Sequence, residues 1–152
     1  MHGYRVAIIT PLAVGIAAFV CTIIVHAFAL AATVHSVRHE RRLGRAGAGF
    51  WVDLAIVSVA ILCAFAAHLV EITLWAALFI ICGAFPEFGA AFDHSASNYT
   101  TLGYGDVVMT SSWRVLGPLE AATGMLMFGV STAMIFAVIQ RLIRARYADL
   151  RD

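Results

Sequence analysis

Residues 100–106 read Thr-Thr-Leu-Gly-Tyr-Gly-Asp. Gly103 and Gly105 carry no Cβ, so the backbone there can take φ above zero and successive carbonyls can be aimed at one axis. A dehydrated monovalent cation needs a cage of oxygens in place of its water, and stacked rings of backbone carbonyls supply one. In such a cage Leu102 lends its carbonyl and not its side chain, and Thr101 adds its hydroxyl oxygen below the carbonyl rings. The Tyr104 side chain can point away from the axis and pack behind the strand as a spring against collapse.

The residues just before this run must position it. Pro86-Glu87 precedes a short helix-compatible stretch, Phe88 to Tyr99, and Glu87 complements a helix N-terminus. The economical reading is a helix that enters a membrane part-way, followed by a return strand. Irregular backbone at membrane depth is tolerated only when buried in protein or lining a water-filled path. The negative C-terminal end of such a helix would point toward the axis and favour a cation in the cavity beneath.

The chain around these elements has 152 residues, 62% hydrophobic and 12% charged, whereas soluble domains are roughly a quarter charged. Composition therefore bounds the class to membrane proteins. Val6 to Val34 contains no Asp, Glu, Lys or Arg, and about 20 apolar residues suffice to cross a bilayer core. Phe50 to Phe85 is interrupted only by Asp53, His68 and Glu71, with no Gly or Pro before Gly83, and reads as one long tilted span. Trp51 and Trp75 are spaced as aromatic anchors at opposite interfaces. The third span runs from about Val115 to Gln140, and its one acidic residue, Glu120, is near its start.

Arg38, Arg41, Arg42 and Arg45 lie between the first two spans, and Arg141, Arg144, Arg146 and Arg151 follow the third. Both clusters are expected on the cytoplasmic side, which places the N-terminus, with only Arg5, outside. The plasma or inner membrane is the expected location. A signal peptide ending at Ala29-Leu30-Ala31 is disfavoured, because the apolar run exceeds the about 7 to 15 residues of an h-region. A voltage sensor is disfavoured too: the first arginines lie in a stretch with Gly44, Gly47 and Gly49, and no span carries a regular basic row.

Taken together, Thr101-Leu102-Gly103-Tyr104-Gly105-Asp106, bracketed by spans in this order, resembles the filter of the tetrameric potassium channels, with Leu102 where Val is usual. The resemblance covers roughly Gly49 to Arg141. It implies an all-α membrane fold: an extra N-terminal span (1–35), a cytoplasmic loop (36–49), a pore domain (50–141) and a cytoplasmic tail (142–152). Within the pore domain it implies an outer helix (50–84), a pore helix (88–99), a filter (100–106) and an inner helix (115–141). It further implies K+ held by Thr101, Leu102, Gly103, Tyr104 and Gly105, with Thr100, Asp106, Ser97, Asn98 and Glu71 as filter supports. Gly124 resembles the inner-helix glycine at which such channels bend, with close helix packing as the other reading. Met125, Phe128, Gly129, Thr132 and Phe136 match the stretch lining the cavity, and for Gly129 packing is equally open.

Many relatives carry aromatic residues in the pore helix where this chain has Asp93 and His94. The filter run occurs once, so several copies must meet around an axis, and the family implies a homotetramer. Ala13, Ala17, Ala27 and Ala31 suit packing of the first span against the second.

His68 and Glu71 share a helix face, and buried charges at that depth need partners. Glu71 is expected either to pair with Arg114 or the pore helix, or to lie near the outer headgroups; His68 either tunes gating with pH or is a neutral packing residue. His26 reads as a structural histidine, and Cys21, Cys63 and Cys82 as small core residues. No cofactor beyond permeant K+ is implied. A net charge of +1 disfavours nucleic acid as a partner, while the arginine-rich tail leaves contact with membrane lipid open. His68-x-x-Glu71 is half a metal site at most, and no enzyme motif accompanies it. A weakly selective cation channel and an accessory membrane subunit are the alternatives.

Overall fold

The computed structural model describes residues 8–105, 109–110 and 112–147, which form four helices: α1 (Ile9–Arg42), α2 (Phe50–Ile81), α3 (Phe88–Tyr99) and α4 (Leu116–Arg146). Arg5, Val6, Asp106 and Arg151 lie outside the described residues. α1, α2 and α4 are each long and apolar enough to cross a membrane.

The ends of these helices follow from backbone chemistry. α1 does not stop at Val34 but runs to Arg42, so Arg38, Arg41 and Arg42 are helical and only Arg45 lies in the loop. Nothing between Val34 and Arg42 breaks a helix, and the cations favour the negative helix end. The stop comes at Gly44, with φ +69: its N–H donates to the Arg41 carbonyl (3.0 Å) and the Arg45 N–H to the Glu40 carbonyl (3.1 Å). This is the Schellman arrangement, in which a residue with left-handed backbone closes the last turn. Gly83, φ +66, ends α2 in the same way, through Gly83 N–H to Ile80 O and Ala84 N–H to Phe79 O, both 2.9 Å. At the start of α3, Glu87 is extended and its side chain makes no capping bond. Its contribution there is charge near a helix N-terminus.

The chain divides into two compact units, one built from Met1–Val25 and Leu69–Met127, the other from His26–His68 and Phe128–Asp152. The first holds α3. Its core gathers Trp75, Phe79, Ala91, Tyr99 and Leu116, none of them accessible to solvent. Trp75 is therefore not an interfacial anchor, as its spacing from Trp51 suggests. Its indole N–H donates to Thr22 Oγ1 at 3.2 Å, the partner a buried tryptophan requires.

In the second unit Val37, Ile56, Ala60, Val138 and Leu142 pack together. Asp53 accepts from the Gly47 N–H (2.8 Å) through one oxygen and from Arg146 Nη2 (2.5 Å) through the other. Ser131 Oγ stands 3.1 Å from both His26 Nε2 and His68 Nε2, with all three residues buried. A hydroxyl has one hydrogen, so it donates to one ring and accepts from the other. Both histidines are thus packed, hydrogen-bonded residues.

Two further expectations are corrected. Ala13, Ala17, Ala27 and Ala31 are exposed; in the first unit the buried residues of α1 are Pro11, Gly15, Ala18 and Thr22. Cys21 is exposed and Cys63 and Cys82 are half-buried, so none is a core residue.

Candidate functional site

α3 ends where the glycine-rich run begins, and the same backbone device makes the junction. The Thr101 N–H donates to the Asn98 carbonyl (2.8 Å) and the Leu102 N–H to the Ser97 carbonyl (2.9 Å), again a Schellman closure. Here the left-handed position is held by a threonine: Thr101 has φ +61, the one positive-φ residue besides glycine among the described residues. A β-branched side chain in that region costs roughly 1–2 kcal/mol. Gly103 (φ +56) and Gly105 (φ +74) follow at every second residue, where glycine removes that cost.

The hydrogen bonds fix which way the peptide units face. Gly103 N–H also donates to the Ser97 carbonyl (3.2 Å), and Tyr104 N–H to Ser97 Oγ (3.3 Å). In a trans peptide the N–H and the preceding C=O point in opposite directions. The N–H groups of Leu102, Gly103 and Tyr104 all turn back to Ser97, so the carbonyls of Thr101, Leu102 and Gly103 turn away from α3. Three consecutive oxygens are left on one side of the strand, and among the described residues no backbone N–H donates to them.

Around this strand the side chains are open. Thr100 to Gly105 are exposed, Leu102 at 58% and Tyr104 at 75%. Within the chain Tyr104 does not pack behind the strand. A hollow of about 200 Å³ does lie there, lined by Ser97, Asn98, Gly103, Gly105, Met109 and Gly117 among others.

The shell behind α3 is polar and buried. Glu71 is fully buried and one of its carboxylate oxygens accepts a hydrogen bond from the Tyr99 hydroxyl. Of the partners weighed for Glu71, the pore-helix residue is the one it meets, while Arg114 is exposed. Ser95 Oγ lies 2.8 Å from the Ile72 carbonyl oxygen and 2.5 Å from Glu120 Oε1. His94 takes the place of an aromatic residue: its ring packs against Phe85 (4.9 Å between centroids) and Phe79 (5.7 Å), and its Nε2 is 2.7 Å from Asn98 Nδ2. Asp93 is exposed.

On α4, Gly124 is buried and a Cβ there would stand 2.0 Å from the Tyr99 carbonyl oxygen. Close packing is thus a requirement at Gly124. Met125, Phe128, Gly129, Thr132 and Phe136 are all exposed, and a Cβ at Gly129 would meet open space. Asp106 falls outside the described residues. Sequence reading did not single out Tyr99, Ser95 or Glu120 as site residues, although a lone acid in an apolar span was a signal for Glu120.

Residues 67–141, from within α2 to within α4 and including α3 and the glycine-rich strand, match the family model described as ion channel. No curated protein and no solved structure matches the chain. By that match residues 67–141 are a pore domain of the ion-channel family, of the two-helix, potassium-channel type.

Proposed function

We propose that the chain is one subunit of a potassium-selective channel that conducts dehydrated K+ passively, and that it works as a homotetramer. The observation that carries this reading is the common direction of the Thr101, Leu102 and Gly103 carbonyls, imposed by three N–H groups that turn back to Ser97. Four copies around an axis would stack these oxygens into rings, the arrangement that replaces an ion's hydration shell. Tyr104 and Gly105 continue the strand, and the Thr101 hydroxyl supplies a further oxygen below.

Assembly accounts for what the single chain leaves open. Leu102 and Tyr104 are large and exposed beside a hollow behind the strand, and a neighbouring subunit would cover them. Closed cyclic symmetry is the ordinary solution for a ring of identical subunits. Met125, Phe128, Thr132 and Phe136 would then line a water-filled cavity. With both arginine clusters on the cytoplasmic side, the N-terminus and the filter mouth face outward.

A potassium flux assay on the purified protein in liposomes tests the proposal. Wild-type protein should pass potassium, and Gly103→Ala should abolish the flux, because alanine is strained at φ +56. Absence of flux from intact, reconstituted protein would favour an accessory role instead.

A further inference from the structure

Ser95, on the buried side of α3, makes two contacts that one hydrogen cannot serve. Its Oγ is 2.8 Å from the Ile72 carbonyl oxygen and 2.5 Å from Glu120 Oε1. A carbonyl carries no proton and a serine hydroxyl carries one. If Ser95 donates to Ile72, its oxygen can meet Glu120 favourably only when Glu120 brings a hydrogen. If Ser95 donates to Glu120 instead, two lone-pair oxygens face each other at 2.8 Å. Ser95 and Glu120 are both wholly inaccessible to solvent, so no bulk water supplies the missing hydrogen.

The rest of the carboxyl group points the same way. Glu120 Oε2 is buried and makes no hydrogen bond among the described residues. The ion pairs of Arg45 with Glu40 and of Arg146 with Asp53 do not involve Glu120. The Asn98 side-chain amide also lies beside this carboxyl, but an amide carries no charge, and an ionised carboxylate buried without a cation costs far more than a neutral acid with one open carbonyl oxygen.

We propose that Glu120 is held as a neutral carboxylic acid whose O–H donates to Ser95 Oγ, while the Ser95 hydroxyl donates to the Ile72 carbonyl. One directed chain then ties α4 to α3 and α3 to α2. Ser95 is two residues before Ser97, which receives the filter N–H groups, so the chain fixes the end of α3 that holds the carbonyl strand. Glu120 is a positioning residue in this account. Its effect on conduction rests on the channel reading above, whereas its protonation does not.

Infrared spectroscopy of the purified, reconstituted protein separates the two. With 13C-carboxyl glutamate, wild type at neutral pH should show a protonated-carboxyl C=O stretch that shifts with the label, survives in Glu71→Gln and loses intensity in Glu120→Gln. A labelled wild-type protein with no protonated glutamate band would overturn the proposal, and that result does not depend on any variant folding. A band as strong in Glu120→Gln as in wild type would overturn it as well. In flux, Glu120→Gln, whose amide N–H replaces the acid O–H, should stay within about threefold of wild type, the scale of one neutral hydrogen bond. Glu120→Ala should lose more. If wild-type vesicles pass no potassium while the band is present, the channel reading fails and the protonation stands.

Discussion

The Tyr99 carbonyl oxygen occupies the space a side chain at position 124 would need: a Cβ on Gly124 would come within 2.0 Å of it. The last turn of α3 is pressed directly onto the α4 backbone. Gly124→Ala should therefore overpack the junction and cost about 1–3 kcal/mol or more. Thermal unfolding of the detergent-purified protein should show a clear drop in Tm. Gly129→Ala, where a Cβ meets open space, should change it much less. Equal effects at the two positions would contradict the packing described.

Ser97 accepts through both its carbonyl and its hydroxyl, and a side-chain substitution removes only the second. Ser97→Ala should weaken the hold on the Tyr104 N–H by about 0.5–1.5 kcal/mol. The permeability ratio of potassium to sodium should fall by no more than about tenfold, in contrast to the loss expected for Gly103→Ala. Single-channel or vesicle reversal potentials would measure it. An unchanged ratio would mean that the backbone contacts alone hold the strand.

How much of this could be read from the sequence depends on the distance over which each feature is determined. The three spans and the short helix between them were legible, because apolar run length and the Pro86-Glu87 break are local. The orientation of the carbonyl strand was legible only in part. Gly103 and Gly105 announce positive φ, but Thr101 takes it as well, and the sequence offers no sign of that. The hydrogen bonds of Tyr99 with Glu71 and of Ser95 with Glu120 join residues 28 and 25 positions apart. Spacing along a chain does not reveal such pairs. Trp75 was misjudged for a related reason: an aromatic near a span end suits an interface, yet Thr22 on another helix offers its indole a buried acceptor.

The Tyr99 hydroxyl donates to the buried Glu71 carboxyl group behind the glycine-rich strand. Tyr99→Phe leaves a buried acceptor on Glu71 without this donor and should cost about 1–3 kcal/mol. Glu71→Gln keeps an acceptor for the hydroxyl and should cost less. A double-mutant cycle on Tm would give the coupling directly. A coupling near zero would show that the contact does not hold the pore helix.

Asp53 and Arg146 provide a contrast in scale. Their side chains are 13% and 30% exposed, so the ion pair is partly screened. Asp53→Asn keeps an acceptor for the Gly47 N–H and should lower stability by no more than about 1 kcal/mol. The difference should shrink at high salt. Asp53→Ala removes the Gly47 contact too and should cost more, which thermal melts at two ionic strengths would reveal.

The most direct test of the central claim is the bi-ionic reversal potential of the purified wild-type protein in liposomes, with potassium on one side and sodium on the other. Carbonyl rings of the kind inferred from Thr101, Leu102 and Gly103 predict a potential set almost entirely by potassium. A potential near zero, with substantial current, would contradict potassium selectivity and leave a weakly selective cation pore.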